Sequence, residues 1–388
     1  MMLEQMILEN VRNMPPSGIR KYFDLINEMD DVISLGVGEP DFVTPWNVIE
    51  AGIYSLEKGE THYSSNAGFI ELRKEISNYL NRRFNLKYNA EDEILVTVGG
   101  SEGIDLALRA LVGPGDEVII PEPSFVAYKG CATFCGATPV IINLRQEDDF
   151  KLTAELLEKA ITPKTKVVII PFPNNPTGAI MTKDELKEIV DVLKDKNIII
   201  ISDEIYAELS YDKAHYSIAS FEEVREKTLV INGFSKAYAM TGWRLGYVCG
   251  HSILIDALKK IHQYAIMCSP TTAQFAAIEA LKNGDDSVSE MAREYNRRRR
   301  ILVDGFRNMG LECFEPLGAL YVFPCIKSTG LTSDEFCERL LLEEKVLAVP
   351  GNAFGECGEG FIRACYASST EDLIEAVKRI KRFVSKYR

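Results

Sequence analysis

The chain has 388 residues, of which 46% are hydrophobic and 26% are charged, and its formal net charge at pH 7 is −13. This length exceeds what one hydrophobic core usually holds and the composition is that of a globular protein, so we expect two folded domains. The acidic balance disfavours nucleic acid and anionic membranes as main partners, and no run of about 18 apolar residues predicts a membrane span.

The N-terminus and the cysteines both indicate a cytoplasmic protein. Residues 1–9 include acids and lack the basic start of a signal peptide. The nine cysteines are dispersed and mostly flanked by apolar residues, which is typical of buried free thiols. Cys131 and Cys135 lie four positions apart, but no histidine or second cysteine pair stands near them, so no metal site is expected.

Hydrophobic patterning predicts an α/β fold. Residues 1–15 are interpreted as a loose arm and residues 18–30 as an amphipathic helix. Seven strand-like runs follow, at 93–98, 117–121, 138–142, 167–171, 198–202, 229–233 and 245–249. Helical patterns at 101–112, 182–194 and 269–281 lie among or after them. Strands that alternate with helices favour a mainly parallel sheet covered by helices on both faces.

A phosphate site is predicted where the first of these strands ends. Gly100, Ser101 and Glu102 follow the strand and open a helix. Free backbone N–H groups and the helix dipole at that position favour a phosphate group. A serine that merely caps a helix gives the same pattern, so this signal is weak by itself.

The strand at 167–171 continues into the sequence Pro-Asn-Asn-Pro-Thr-Gly at 173–178. Two prolines and a glycine make this segment a rigid turn. Asn175, fixed in such a turn, could donate to the phenolic oxygen of a pyridine cofactor and to a substrate carboxylate. The same residues also occur in tight turns that have no binding role.

Asp203 follows five apolar or small residues that read as a buried parallel strand. Open α/β sheets bind ligands at the carboxyl ends of their strands. A buried carboxylate there could keep a pyridine nitrogen protonated, and the ring then acts as an electron sink. Tyr206, three residues later, could reach the phenolic oxygen of the ring. The alternative role for Asp203 is an ordinary helix N-cap.

The segment at 235–244 begins at the end of another apolar run and contains Ser235, Lys236 and Arg244. A neutral lysine amine is a good nucleophile, and burial beside a second cation lowers its pKa. Lys236 could therefore form an imine with an aldehyde cofactor while Ser235 and the Arg244 fork hold its phosphate. The alternative is a surface lysine in a turn. The candidate cofactor contacts upstream in the sequence, Asn175, Asp203 and Tyr206, favour the imine-forming role instead.

The character of the chain changes after residue 291. A charged helix is predicted over 292–308, and its four arginines at 297–300 are interpreted as a solvated face or a subunit contact, with an anion site as the alternative. Apolar runs at 319–323 and 361–366 and a terminal helix over 370–386 indicate a smaller α+β domain.

Seven motifs in this order resemble the class I and II family of pyridoxal-phosphate aminotransferases. They are Gly-Val-Gly-Glu-Pro-Asp-Phe at 36–42, Thr-His-Tyr at 61–63 through Ala-Gly at 67–68, Val-Gly-Gly-Ser-Glu at 98–102, the turn at 173–178, Ser-Asp-Glu-Ile-Tyr at 202–206, the segment at 235–244, and Gly-Phe-Ile-Arg at 360–363. The resembled branch contains aromatic, acetyl-diaminopimelate and aspartate aminotransferases and the related cystathionine β-lyases.

The resemblance implies fold type I, with a large domain at 46–284 and a small domain formed by 1–45 and 285–388. It also implies a homodimer with shared active sites, in which Tyr63 reaches the cofactor phosphate of the neighbouring subunit and Phe125 stacks on the pyridine ring. The implied catalytic residues are Lys236, Asp203 and Tyr206. The implied cofactor-binding residues are Tyr63, Gly100, Ser101, Glu102, Phe125, Asn175, Asp203, Tyr206, Ser235, Lys236 and Arg244. The implied substrate-binding residues are Gly38, Asn175 and Arg363.

The expected reaction is amino-group transfer from an L-amino acid to a 2-oxo acid such as 2-oxoglutarate. Aromatic or other large apolar donors are favoured, because Ile19, Tyr22 and Phe23 could offer apolar surface at the entrance. Arg20 or Lys21 could instead select a dicarboxylic donor. The alternatives are an aspartate, alanine or acetyl-diaminopimelate aminotransferase, a cystathionine β-lyase, and a non-catalytic pyridoxal-phosphate-binding regulator.

Overall fold

The computed structural model describes residues 3–15 and 29–387. The predicted entrance segment, with Ile19, Arg20, Lys21, Tyr22 and Phe23, lies outside the described residues. So does the helix predicted over 18–30, except for its last two positions, which are not helical.

Twelve strands are described within these ranges. They are β1 (Ile33–Ser34), β2 (Ile94–Thr97), β3 (Glu117–Glu122), β4 (Thr138–Asn143), β5 (Thr165–Ile170), β6 (Ile199–Asp203), β7 (Thr228–Gly233), β8 (Gly246–Cys249), β9 (Tyr321–Val322), β10 (Val346–Leu347), β11 (Val349–Pro350) and β12 (Ile362–Cys365). The α-helices are Glu9–Arg12, Trp46–Glu57, Ile70–Phe84, Gly99–Leu111, Ala127–Phe134, Ala154–Ala160, Lys183–Leu193, Glu222–Arg225, Ser252–Ala265, Thr271–Asn283, Asp285–Asn308, Ser333–Glu344 and Thr370–Val384.

The seven predicted strands form one sheet in the order β2-β8-β7-β6-β5-β3-β4. Strand β8 runs antiparallel to both its neighbours, and the other pairs are parallel. The prediction of a mainly parallel, seven-stranded α/β sheet is therefore confirmed. Because β2, β3, β5, β6 and β7 share one direction, the loops that follow them meet at one edge of the sheet.

Both faces of this sheet are buried, which explains the unbroken apolar runs in the sequence. In β5, Val168 and Ile170 belong to one apolar cluster with the helix Lys183–Leu193, and Val167 and Ile169 belong to another with the helix Gly99–Leu111. Side chains alternate between faces along a strand, so one strand contributes to two cores. Thr182 and Glu185 form a capping box that starts the helix Lys183–Leu193 close to the predicted position.

A separate apolar cluster joins the N-terminal and C-terminal regions. Strand β1 pairs in parallel with β10, and β12 lies between β11 and β9 in a small antiparallel sheet. The cluster also contains the long helix Asp285–Asn308 and the terminal helix Thr370–Val384. These contacts support a discontinuous small domain, whose limits at 45/46 and 284/285 stay a prediction.

The four arginines at 297–300 were interpreted as a solvated face or a subunit contact, and this interpretation was wrong for Arg298 and Arg299. Arg298 and Arg299 are buried, whereas Arg297 and Arg300 are exposed. Arg298 pairs with Asp41 at 2.7 Å, and Arg299 pairs with Asp212 at 3.2 Å and also with Glu315. Successive residues on a helix point in directions about 100° apart, so a continuous charged run cannot all face water when the helix packs on a core.

The N-terminal arm is partly structured. It contains the short helix Glu9–Arg12, and Asn10 donates hydrogen bonds to the carbonyls of Thr133 and Phe134 at 3.1 and 3.3 Å. All nine cysteines are free thiols, and Cys249, Cys313, Cys337 and Cys365 are buried. Among the helices that the structure describes, none combines the length and apolar character needed to span a bilayer.

Candidate active site

A cavity of about 390 Å³ lies at the carboxyl ends of the parallel strands. The structure brings most of the predicted site residues together there. The exceptions are Tyr63 and Glu102, which do not line the cavity. The predicted residues that line it are Gly38, Gly100, Ser101, Phe125, Asn175, Asp203, Tyr206, Ser235, Lys236, Arg244 and Arg363. Lining residues that the sequence did not single out include Val37, Ile104, Tyr128, Thr241 and Tyr321.

Lys236 follows β7 and extends into the cavity, where its Nζ donates a hydrogen bond to the Gly38 carbonyl at 2.6 Å. Burial lowers the pKa of the Lys236 amine to about 8, and the positive charges of Arg363 and Arg244 contribute in the same direction. Burial is the larger cause, and the neighbouring cations are a smaller one. A lysine with this pKa is neutral in a substantial fraction of molecules near pH 8, as a nucleophile or general base requires.

Asp203 ends β6 with its carboxylate buried. Its Oδ2 accepts a hydrogen bond from the Tyr128 hydroxyl at 2.7 Å, and its Oδ1 accepts one from the Ile205 backbone N–H at 3.2 Å. Burial raises the pKa of Asp203 to about 6, although these hydrogen bonds favour the ionised form. A turn follows Asp203, and no helix does, so the N-cap alternative does not hold.

The turn at 173–178 uses its two asparagines differently. The fully buried Asn174 accepts hydrogen bonds through Oδ1 from the Thr177 backbone N–H at 3.1 Å and from its hydroxyl at 2.8 Å, which fixes the turn. Asn175 instead faces the cavity, where its Oδ1 accepts a hydrogen bond from Arg363 Nη1 at 3.0 Å. The sequence analysis predicted a contact role for Asn175 but no role for Asn174.

Arg363 lies in β12 and is buried between two rings, with its guanidinium carbon 4.5 Å from the centre of the Tyr321 ring and 4.7 Å from that of Phe354. Its Nη2 donates to the Gly36 carbonyl at 2.5 Å. Its Nε is buried and has no hydrogen-bond partner. A buried charged donor without a partner is costly, so this atom fits an anionic group bound in the cavity.

Two tyrosine hydroxyls meet at the side of the cavity near Gly38. Tyr206 and Tyr321 are hydrogen-bonded at 2.7 Å, and the Tyr321 hydroxyl donates to the Gly38 carbonyl at 3.3 Å. A Cβ at position 38 would collide with the Tyr321 hydroxyl, which explains the glycine. Sequence reasoning missed Tyr321, because it occurs in an apolar run that indicates only a strand.

The predicted phosphate site is formed by the start of the helix Gly99–Leu111 together with Ser235 and Arg244. Gly99 has φ +74°, and a Cβ there would lie 2.7 Å from Arg244 Nη2. Arg244 donates through Nη1 to the Thr241 carbonyl at 2.9 Å. The helix start, the serine hydroxyl and the guanidinium provide the donors that a phosphate requires.

Glu102 lies behind this site. One carboxylate oxygen accepts the Val98 backbone N–H at 2.5 Å, and the other pairs with Nδ1 of the fully buried His262 at 2.7 Å. The side chain thus folds back onto the helix start and satisfies an N–H that the helix leaves free. The structure gives Glu102 a supporting position and no direct contact with the cavity.

Tyr63 lies on the surface, where the residue is 80% exposed in the single chain. The Thr271 hydroxyl donates to the His62 carbonyl at 2.7 Å, and Asn66 donates to the Met267 carbonyl at 2.8 Å. These bonds place Tyr63 beside a segment with three exposed apolar residues, Tyr264, Ile266 and Met267. An exposed cluster of this kind is typical of a subunit contact.

The cavity fits pyridoxal phosphate on the chemistry of its donors. Lys236 can bond to an aldehyde, the predicted phosphate site lies on one side, and Arg363, whose buried Nε has no hydrogen-bond partner, also lines the cavity. Among the described residues, no group of three or more His, Cys, Asp or Glu side chains is arranged to hold a metal ion.

Comparison with known proteins gives one consistent result. The family model of aminotransferase class I and II matches residues 30–380. The chain is 54% identical to the aminotransferase-like protein YugH of Bacillus subtilis (strain 168), over 97% of each chain. It is 45% identical to the aspartate aminotransferase of Pyrococcus horikoshii, over 97% of this chain and 96% of that one. The crystal structure of an aromatic aminotransferase from Pyrococcus horikoshii superposes with a TM-score of 0.90, with 43% identity over 94% of this chain and 99% of that one.

Proposed function

The chain belongs to the class I and II aminotransferase family, whose members use pyridoxal phosphate, and we propose that it transfers an amino group from an L-amino acid with a large apolar side chain to 2-oxoglutarate. Membership makes the chain an enzyme of the transaminase class with fold type I. The observation that carries the proposal is the convergence of Lys236, Asp203, Asn175 and Arg363 on one cavity. Each of these side chains comes from a different part of the sequence.

When bound, pyridoxal phosphate supplies an aldehyde that reacts with amines and a ring that accepts electrons as the α-C–H bond of the substrate breaks. Ser235, Arg244 and the helix start at Gly100 and Ser101 would hold its phosphate. Asp203 would accept a hydrogen bond from the protonated ring nitrogen. The remaining assigned contacts are Asn175 and Tyr206 at the phenolic oxygen and Phe125 against the ring face.

In this assignment Lys236 acts in two ways. Its amine would hold the cofactor by the aldehyde in the resting enzyme, and the amine, once free, would take a proton from the substrate α-carbon and deliver it again as general acid and base. Burial keeps a large fraction of this amine neutral near pH 8, as both tasks require. Arg363 orients the substrate by binding its α-carboxylate with two parallel N–H donors.

The choice of an apolar donor rests on the apolar residues Ile19, Tyr22 and Phe23 of the sequence, and not on the charges of the cavity. Its cationic lining residues in the described part of the chain are Lys236, Arg244 and Arg363, and each already has an assigned task. A second substrate carboxylate would need a further cation, such as Arg20 or Lys21, which lie outside the described residues. The acceptor 2-oxoglutarate has two carboxylates, so its binding depends on such a group. The similar proteins include an aspartate aminotransferase and an aromatic aminotransferase, so their names do not distinguish a dicarboxylic donor from an apolar one.

We propose a homodimer in which Tyr63 contributes to the cofactor site of the partner. The surface position of Tyr63 and the exposed apolar side chains beside it support this assignment. The cytoplasmic location inferred from the sequence stays a prediction.

A panel of donors with 2-oxoglutarate tests the substrate proposal. Phenylalanine, tyrosine, methionine, aspartate, alanine and acetyl-diaminopimelate would be compared by kcat/KM, because specificity is a ratio of these values. The proposal fails if phenylalanine, tyrosine and methionine are all at least about tenfold poorer than aspartate or alanine. Incubation with cystathionine, assayed for pyruvate and ammonia, tests the β-lyase alternative.

A further inference from the structure

Tyr128 has no role in the function proposed above, yet it makes the shortest hydrogen bond to Asp203. Its hydroxyl lies 2.7 Å from Asp203 Oδ2, compared with 3.2 Å between the Ile205 backbone nitrogen and Oδ1. Tyr128 belongs to the helix Ala127–Phe134 and is 3% exposed. The carboxylate is thereby held on both oxygens, by two different elements of the fold.

The packing around Tyr128 fixes the position of its hydroxyl. The ring meets the Phe125 ring edge-on, with centres 5.7 Å apart and an angle of 86° between the planes. Burial and the neighbouring Asp203 raise the pKa of the Tyr128 phenol well above its usual value. The hydroxyl therefore keeps its proton and remains a hydrogen-bond donor to the carboxylate across the pH range in which proteins are stable.

We propose that Tyr128 is a positioning residue that keeps Asp203 ionised and in one orientation, so that the carboxylate recognises the protonated ring nitrogen of the cofactor. This inference rests on the proposed function, since it requires pyridoxal phosphate in this cavity.

The physical reason lies in where the shared proton resides. Between a ring nitrogen and a carboxylate, the proton can lie on the nitrogen, giving an ion pair, or on the oxygen, giving a neutral pair. A phenol that donates to the carboxylate stabilises the anion and favours the ion pair. Without this donor, the buried Asp203 competes more strongly for the proton and the ring loses part of its positive charge.

The test compares two ligands on the full-length protein after its cofactor has been removed. One is pyridoxal phosphate and the other is its 1-deaza analogue, in which a C–H group replaces the ring nitrogen. The ratio of their dissociation constants measures recognition of the nitrogen alone. In the unaltered chain pyridoxal phosphate should bind more tightly, and in Tyr128→Phe this preference should fall about tenfold, the effect of one hydrogen bond to a charged group.

Tyr88→Phe is the matched control, because the Tyr88 hydroxyl is also buried but has no hydrogen-bond partner and lies outside the cavity. It should leave the preference unchanged. In an Asp203→Asn background, Tyr128→Phe should have no further effect, as expected if the two residues act as one unit. If Tyr128→Phe does not fold, Tyr128→Met removes the same hydroxyl and carries the same expectation.

The possible results separate the inference from the proposed function. Equal weakening of both ligands by Tyr128→Phe, with an unchanged ratio, means that Tyr128 is merely structural and overturns the inference alone. Failure of the unaltered chain to bind pyridoxal phosphate overturns the proposed function, and the inference with it.

Discussion

Arg363 Nη1 donates a hydrogen bond to Asn175 Oδ1 across 3.0 Å, although the two residues are 188 positions apart in the sequence. Arg363 lies in β12 of the small antiparallel sheet, and Asn175 lies in the turn after β5 of the large sheet. The bond therefore joins the two parts of the fold inside the cavity. It holds both side chains in one orientation, which reduces the entropy lost when a substrate carboxylate binds.

Replacing Lys236 with alanine should reduce transamination by at least about 10²–10⁴-fold, the usual loss for a positioned acid and base. The other cavity residues should still bind pyridoxal phosphate without a covalent bond. Borohydride reduction of the unaltered enzyme followed by peptide mapping should find the cofactor on Lys236. Attachment to a different lysine would refute the assignment.

Asp203→Asn should retain pyridoxal phosphate but lose about 10²-fold or more in kcat, since an amide cannot provide the negative charge at the ring nitrogen. Asp203→Glu should do less harm if the strand end can adjust. Near-normal transamination by the Asn variant would show that another group keeps the ring protonated.

The same substitution should stabilise the cofactor-free chain at neutral pH. The pKa of Asp203 is about 6 in the folded chain and near its usual value of 3.8 when unfolded. Between these values the folded state binds more protons than the unfolded state, so this carboxyl makes stability fall as pH rises from about 4 to 6. Asp203→Asn should therefore raise the free energy of unfolding at pH 7 by up to about 3 kcal/mol and leave it nearly unchanged at pH 4. Urea denaturation at both pH values measures the difference, and an equal effect at both would contradict it.

Arg363→Lys and Arg244→Lys should produce different kinetic defects. Loss of the Arg363 fork should raise KM for the amino acid and the 2-oxo acid about 10- to 100-fold, because one ammonium cannot replace two parallel donors. Loss of the Arg244 fork should mainly weaken binding of pyridoxal phosphate. The two variants serve as controls for each other, and an identical defect in both would contradict the assignment of separate anion sites.

Arg298→Ala should destabilise the protein more than Arg300→Ala, although the two residues are close neighbours on one helix. Arg298 is buried and bonds Asp41 at 2.7 Å and Glu294 at 2.8 Å. Arg300 has 60% of its side chain exposed and lies 3.7 Å from Asp212. We expect a loss of about 1–3 kcal/mol for Arg298 and less than about 0.5 kcal/mol for Arg300. Thermal or urea denaturation of both variants checks this, and equal losses would contradict it.

Mixed dimers test whether Tyr63 serves the partner's site. One chain would carry Lys236→Ala and the other Tyr63→Ala, and activity would be measured at limiting pyridoxal phosphate. If the sites are shared, each mixed dimer contains one intact site and one site with both defects, so activity should return. If Tyr63 serves its own chain, no mixed site is intact and activity stays low.

The strands and most residues that line the cavity were predictable because they lie in local patterns. The residues 198–202 predicted β6, since a strand buried on both faces needs an unbroken apolar run. The helix predicted over 182–194 is observed at Lys183–Leu193, where Thr182 and Glu185 form a capping box. The helix predicted at 292–308 begins seven residues earlier, at Asp285, because polar residues in the first turn gave no apolar signal. Acids are favoured there by the helix dipole, which hydrophobic patterning does not detect.

The sequence by itself determined the α/β fold and the order of the strands along the chain. It also predicted Lys236, Asp203, Asn175 and Arg363 as site residues, since each lies in a motif that can be recognised from neighbouring residues, and all four line the cavity. Only the tertiary structure decided which side chains support them. The Tyr128 hydroxyl donates a hydrogen bond to Asp203, which lies 75 positions away in the sequence. Glu102 is hydrogen-bonded to His262, which lies 160 positions away. Such contacts depend on how helices and strands pack, and a linear pattern carries no information about distances between residues far apart in the chain.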